Sequence, residues 1–294
     1  MNNYIKNIIL TPFHILYKVN PVLCTKVLFR LKVKQKLDLK HPITFNQKIQ
    51  WIKLYDKEPL KPKCVDKYTV RKYIKKTGCE ELLNELFWEG YHPEDIPFDK
   101  LPDKYVIKVT HGQGMNIICK DTHSLDKKMV IKQLRKWMKE KYLPCYGEWF
   151  YGKVRPRVIV EKFLGNSDNE EPTDYKVFCF HGEPKLIDVH TGRFSNHKRN
   201  FYDLSWNLIR NVSIKYPCDE NAAIPKPEKL EEMLGYARIL SKPFIHVRVD
   251  FYIVENKVYF GELTFTNGAG FDVVKPYEFD VQLGNYIHLP ADMK

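Results

Sequence analysis

Apolar residues of this chain recur at helical spacing near its start and alternate with polar ones through much of its second half. The first 39 residues, rich in Ile, Leu, Val and Phe, read as helical until Pro42 breaks the pattern. A helix is predicted to begin at Thr44, whose side chain can cap it, and to run through Phe45, Ile49, Trp51, Ile52 and Tyr55. Residues 65–76 predict a second amphipathic helix, residues 125–142 a long basic one capped by Ser124, and residues 225–241 another. Strands are predicted over residues 105–110, 116–120 and 157–164, with a glycine-containing turn joining the first two. Residues 166–173 form a polar loop, and residues 175–180 and 184–190 pair about His181-Gly182-Glu183. A final hairpin spans residues 248–264 and turns at Glu255-Asn256-Lys257. Helices interspersed with strands, and hairpins dominating the second half, give an α+β fold.

Composition narrows the partners. At 294 residues, 44% hydrophobic and 14% aromatic, the chain can bury a large core and is expected to form one compact body of two or three lobes. Lys and Arg outnumber Asp and Glu 48 to 36, so the net charge of +12 favours an anionic partner. Paired zinc ligands and RNP motifs are missing, which argues for no nucleic acid. The seven cysteines are scattered singly, without a Cys-x-x-Cys, as expected of reduced thiols in a cytoplasmic protein. The longest uncharged run near the start, residues 7–17, is too short to span a bilayer. The basic helices around it either lie on the anionic inner face of a membrane or pack on the body, and packing is the expectation.

Candidate chemistry centres on the last hairpin. Asp250 and Glu262 lie among apolar neighbours, where a carboxylate is costly unless a cation or hydrogen bonds compensate it. Carboxylates from adjacent strands can share one hard cation, and Mg²⁺ bridging nucleotide phosphates suits such a pair. Arg248, two residues before Asp250, projects from the same face and could stabilise a transferring phosphoryl group. Alone, the pattern also describes an ordinary solvent-facing hairpin. Upstream, Lys108 leads into His111-Gly112-Gln113-Gly114-Met115-Asn116, where glycines would let backbone N–H groups close on phosphate oxygens. Alone, that too describes an edge-strand lysine before a common turn.

Further phrases come in a fixed order: Phe45-Asn46-Gln47-Lys48-Ile49-Gln50-Trp51, Val65-Asp66-Lys67-Tyr68, Asp174-Tyr175-Lys176, residues 193–203 and Gly261-Glu262-Leu263-Thr264-Phe265-Thr266. Together they resemble the ATP-grasp superfamily, and more closely its TupA-like branch, associated with bacterial capsule and teichuronopeptide synthesis. The resemblance covers roughly residues 40–285 and rests on the joint order. It implies two α+β lobes clasping ATP behind a short helical region: residues 1–65, then 66–164 with the lid, then 165–294 with the Mg²⁺ site and a basic insertion at 192–207.

By that resemblance Lys67 and Lys108 contact phosphates, and the loop from His111 through Gly112, Gln113 and Gly114 to Asn116 is the lid. Backbone atoms of Lys162 and Leu164 read adenine with Glu161 nearby, and Asp168 or Glu170 holds the ribose. Lys176 lies near the γ-phosphate, Asp250 and Glu262 bind Mg²⁺, and Arg248 neutralises charge during transfer. Relatives usually carry asparagine where this chain has Thr264, so that metal position would be completed by the threonine, water or Asn267. The insertion, through Arg193, His197 and Arg199, is expected to grip an acidic sugar or polysaccharide precursor that is then joined to an amine. The implied activity is ATP-dependent carboxylate–amine ligation through an acyl phosphate. Kinase-like transfer to a hydroxyl and glycosyl transfer are the alternatives, the latter opposed by the lack of an Asp-x-Asp. Asp250→Asn and Glu262→Gln are expected to abolish turnover and leave the fold intact.

Overall fold

The structure is a computed structural model and describes residues 3–165, 172–191, 197–222 and 224–290. Its helices are α1 (Asn3–Ile9), α2 (Thr11–Val19), α3 (Pro21–Val33), α4 (Phe45–Tyr55), α5 (Lys61–Val65), α6 (Val70–Lys76), α7 (Lys127–Met138), α8 (Leu230–Ser241) and α9 (Tyr277–Asn285). Its strands are β1 (Leu86–Gly90), β2 (Tyr105–Val109), β3 (Asn116–Cys119), β4 (Val158–Lys162), β5 (Asp174–Phe180), β6 (Glu183–Thr191), β7 (Lys198–Tyr202), β8 (Leu208–Ile209), β9 (Ser213–Ile214), β10 (His246–Val254), β11 (Lys257–Thr264) and β12 (Val274–Lys275).

Local chemistry sets the helix ends. The Thr44 hydroxyl accepts from the Gln47 N–H at 3.3 Å while Gln47 accepts from the Thr44 amide, a reciprocal pair that starts α4 where expected. The helix predicted over 65–76 starts only at Val70, with Val65 instead ending α5, because the Asp66 carboxylate takes the N–H groups of Tyr68 and Thr69 and holds a turn between them. Asp126, not Ser124, caps α7: its carboxylate accepts from Met129 N–H, whereas the Ser124 hydroxyl turns back to the Asp121 carbonyl. Helix α8 begins at Leu230 rather than 225, since Pro227 disfavours helical backbone at Lys226, the residue before it.

The chain divides into two units whose segments interleave: one holds residues 1–8, 59–142 and 150–172, the other 9–58, 143–149 and 173–294. This differs from three consecutive segments, because residues 9–58 fold with the C-terminal sheet. In the first unit, β1, β4, β2 and β3 form an antiparallel sheet in that order. Its core gathers Tyr105, Ile107, Val109, Val158 and Val160 with Val130 and Leu134 of α7.

In the second unit β11, β10, β5, β6, β7 and β8 form an antiparallel sheet in that order. Strand β7 lies in the region expected to be an insertion, so residues 198–202 are sheet and not a free loop. One sheet face packs on α8 through β5, β6 and β10, with Cys179, Val247 and Val249 buried on the sheet, Met233 and Ala237 buried on the helix, and Cys179 Sγ donating to the Ala237 carbonyl. The other face is divided along its strands. Phe178, Phe180, Leu186 and Phe201 pack with Phe45 and Ile49 of α4 and Phe279 and Leu283 of α9. Two residues further along, the same alternation places Asp174 and Lys176 on β5, Asp188 on β6 and Asp250 on β10. Hydrophobic packing thus anchors a face whose continuation is charged.

Asp280 of α9 also lies in this packing. Its carboxylate accepts from the Asn46 N–H at 3.1 Å, with its other oxygen buried and unbonded, and burial raises its pKa from 3.8 to about 6. A raised folded-state value means stability is full below the unfolded pKa and lost as pH rises through about 6. Asp280→Asn should therefore leave the melting temperature at pH 4.5 nearly unchanged and raise it at pH 8; thermal melts across that range test it.

Candidate functional site

The charged half of that sheet face is a continuous network. On β10, the Arg248 guanidinium grips Asp250 with two bonds of 2.6 Å, Nε to Oδ1 and Nη2 to Oδ2. Lys176 Nζ, on the neighbouring strand, donates to Asp250 Oδ2 and to Asp174 Oδ2, both at 2.6 Å. Across the hairpin, Thr264 Oγ1 accepts from Arg248 Nη2 at 3.1 Å and lies 3.0 Å from Glu262 Oε1, to which it donates. Arg248 Nη2 is 3.4 Å from that same Glu262 oxygen.

A bulge creates this juxtaposition. Asp250 pairs with Glu262 but Phe251 pairs with Phe260, leaving Gly261 extra. A Cβ at position 261 would sit 2.9 Å from the Asp250 carbonyl oxygen, so the bulge needs glycine there.

Burial and charge define the electrostatics. Asp250 is 2% exposed; burial alone would raise its pKa, but Arg248 and Lys176 outweigh that and hold it below the usual carboxylate value. Arg248 shows the converse: burial opposes its charge, and Asp250 and Glu262 more than compensate, raising its pKa. The Glu262 side chain is the outward member, 34% exposed. Hard oxygen donors from Asp250, Glu262 and Thr264 fit Mg²⁺, which takes one or two carboxylates and keeps waters. Both Asp250 oxygens are engaged by cations, so Glu262 can take a metal without first losing a strong partner, whereas Asp250 must release one. Among the described residues no three His, Cys, Asp or Glu side chains converge on a metal position.

Beside this cluster is a second network that sequence reasoning missed. Asp188, fully buried, accepts from Arg199 Nη2 at 2.5 Å and lies 3.0 Å from His190 Nε2. His190 Nδ1 is 3.0 Å from His197 Nε2, and the His197 ring stacks on Tyr216 with centroids 4.0 Å apart. Burial would raise the Asp188 pKa, but Arg199 and His190 hold it far below the ordinary value. Burial lowers that of His190, so its ring is neutral. An ionised carboxylate only accepts, so His190 donates from Nε2 to Asp188 and accepts at Nδ1 from His197 Nε2–H. The alternation that pairs Arg248 with Asp250 also pairs Asp188 with His190 and Asp174 with Lys176, and was the available signal.

Other expected positions are redistributed. Arg199 is 4% exposed, with Nε and Nη2 on Asp188 and Nη1 on the Ile214 carbonyl, so it holds β6 to β7 and is not available to grip a substrate. Asn267 is buried and bonded to His246. Arg193, Asp168 and Glu170 lie outside the described residues.

In the first unit, Lys108 Nζ is 2.7 Å from Glu161 Oε2, and Arg71 Nη1 is 3.0 Å from Oε1 of the same carboxylate. Lys67 Nζ donates at 2.6 Å to the Gly112 carbonyl, tying it to the glycine turn. Gly114 adopts a left-handed φ of +67°, buried Met115 pins the turn to the core, and Gln113 and Asn116 are exposed. His111 Nε2 donates to the Glu140 carbonyl at 2.9 Å, while burial lowers its pKa. The backbone of Lys162 is already used: its N–H donates to Glu85 and its carbonyl accepts from Asn84 Nδ2. The Lys162 N–H is therefore engaged within the first unit, while its carbonyl keeps a second lone pair.

The second unit thus carries two networks of buried ion pairs on one sheet, and the first unit a glycine turn tethered by a lysine. A profile of the TupA-like ATP-grasp family matches residues 47–288, and the chain belongs to that family. No curated protein matches. Among solved structures it is similar to D-alanine–D-alanine ligase from Bacillus anthracis in complex with ATP, at 18% identity over 69% of this chain and 55% of that one, TM-score 0.41. It is similar to an L-amino acid ligase from Bacillus licheniformis, at 14% identity, 70% and 44% coverage and TM-score 0.43. A third is N5-carboxyaminoimidazole synthase from Aspergillus clavatus with ADP and 5-aminoimidazole ribonucleotide, at 11%, 79% and 54%, TM-score 0.44. The chain spans about half the length of these solved chains.

Proposed function

We propose that this protein is an ATP-dependent ligase that joins a carboxylate to an amine through an acyl phosphate. The Arg248–Asp250–Lys176–Glu262 network in a member of the TupA-like ATP-grasp family carries the reading. Bound MgATP supplies a γ-phosphoryl group, so that the acyl carbon loses phosphate rather than oxide when the amine attacks. Asp250, Glu262 and Thr264 would hold Mg²⁺ through their oxygens. Arg248 neutralises charge as the phosphoryl group moves, and Lys176 keeps Asp250 ionised and oriented. Lys67 and Lys108 bind phosphate oxygens by exchanging their present partners, the Gly112 carbonyl and Glu161.

The acidic substrate is a uronic acid or similar group of a surface-polysaccharide precursor, a choice supported by the net charge of +12. ADP release should require both an acidic sugar and an amine. With an ¹⁸O-labelled carboxylate, one label should appear in the released phosphate. A stable phosphomonoester formed without amine would replace the ligase with a kinase, and stabilisation by a UDP-sugar but not by ATP would favour glycosyl transfer.

A further inference from the structure

Helices α2 and α3 pack one face into the second unit and leave the other uncovered. Cys24, Leu28, Phe29 and Val33 are buried with Leu37, Cys145 and Phe271. On the opposite side Ile15 and Val19 of α2 are 61% and 79% exposed, and Leu23 and Leu31 of α3 are 46% and 51% exposed. Four large aliphatic side chains exposed on one helical hairpin are a grouping rather than the single scattered apolar residues normal for a protein surface. Lys26 and Arg30 fall at helical spacing between the two leucines and are exposed as well.

The charge pattern selects what covers this face. Residues 1–37 contain Lys6, Lys18, Lys26, Arg30, Lys32, Lys34 and Lys36 and no Asp or Glu; Asp38 is the first acid. Aliphatic residues interleaved with cations, in a segment free of acids, are complementary to an anionic lipid surface: the side chains enter the acyl boundary while the cations meet phosphate headgroups. A protein partner would have to be both apolar and uniformly acidic. The other basic helix, α7, is a useful contrast. Lys128, Lys132 and Lys136 line it, yet Met129 is its one large exposed apolar residue among those described. It has the charge without the insertable surface. None of the helices described is long and apolar enough to cross a membrane.

We infer that the exposed face of α2–α3 is a peripheral docking surface for an anionic bilayer. Binding is reversible, because a few aliphatic residues and cations anchor far more weakly than a spanning helix. It would hold the protein where a lipid-linked substrate is presented, but the inference does not depend on the proposed ligase activity.

The test is sedimentation of the full chain with vesicles of phosphatidylcholine alone or with about 30% phosphatidylglycerol. Binding is expected only to the anionic vesicles, and to fall with added salt. Leu23→Gln/Leu31→Gln and Lys26→Glu/Arg30→Glu should each reduce the bound fraction about tenfold or more. Lys132→Glu/Lys136→Glu on α7, an identical charge change, should reduce it by less than about threefold. Circular dichroism melts confirm that each variant is folded, and single substitutions replace any double variant that is not. No binding to anionic vesicles, or equal loss from the α7 reversal, overturns the inference; a failure of ADP release leaves it standing.

Discussion

Glu262→Gln should lower ATP turnover by about a thousandfold while the melting curve stays within the range of a surface substitution. Glu262 is the outward carboxylate of the site, and its one charged partner among the described residues, Arg248, is 3.4 Å away and already held by Asp250. Glutamine retains an oxygen for the Thr264 hydroxyl and loses only the negative charge a metal needs. Asp250→Asn should behave differently from what its sequence context suggests. It should abolish turnover but also destabilise the fold by about 3 kcal/mol, because Arg248 and Lys176 would lose the buried charge both contact. Denaturant unfolding beside an ADP-release assay separates the two variants. Wild-type turnover by Glu262→Gln would remove Glu262 from the metal site.

The largest stability effect is expected from Asp188→Asn, a loss of about 3–5 kcal/mol. Asparagine cannot balance Arg199, which is buried and has no other anionic partner among the described residues. Asp188→Asn/Arg199→Met should recover much of the loss, since removing both charges of a buried pair costs less than removing one. The pH dependence has a definite sign. The folded-state pKa of Asp188 is depressed below 3.8, so its contribution is full above that unfolded value and lost only as pH falls through the lower folded one. Wild type should therefore lose stability in acid below about pH 4, and Asp188→Asn should lose less there. Parallel slopes for the two proteins would show that Asp188 is not the group responsible.

Much of the site was legible one strand at a time. Arg248 and Asp250 share a face because strands alternate, and Gly114 sits where a turn requires positive φ. What escaped was which strands pair and in what register. Arg199 reads as an exposed base in a polar insertion, yet β7 pairs with β6 and places it against Asp188, eleven residues earlier. Lys162 reads as a hinge with available backbone, yet β4 lies beside β1 and Glu85 takes its N–H. Strand β1 was invisible because Leu86–Gly90 is short and only half-buried.

The sequence by itself determined the α+β class, the N-cap at Thr44, the hairpin that carries Asp250 and Glu262, and a family-specific order of motifs. Those follow from backbone periodicity and capping, which act within about ten residues of the chain. The tertiary structure alone decided which cation faces which carboxylate, that residues 9–58 fold with the C-terminal sheet, and which face of α2–α3 stays uncovered. Strand order and helix docking are set by burial of surface contributed from distant segments, and no local pattern records which segments will meet.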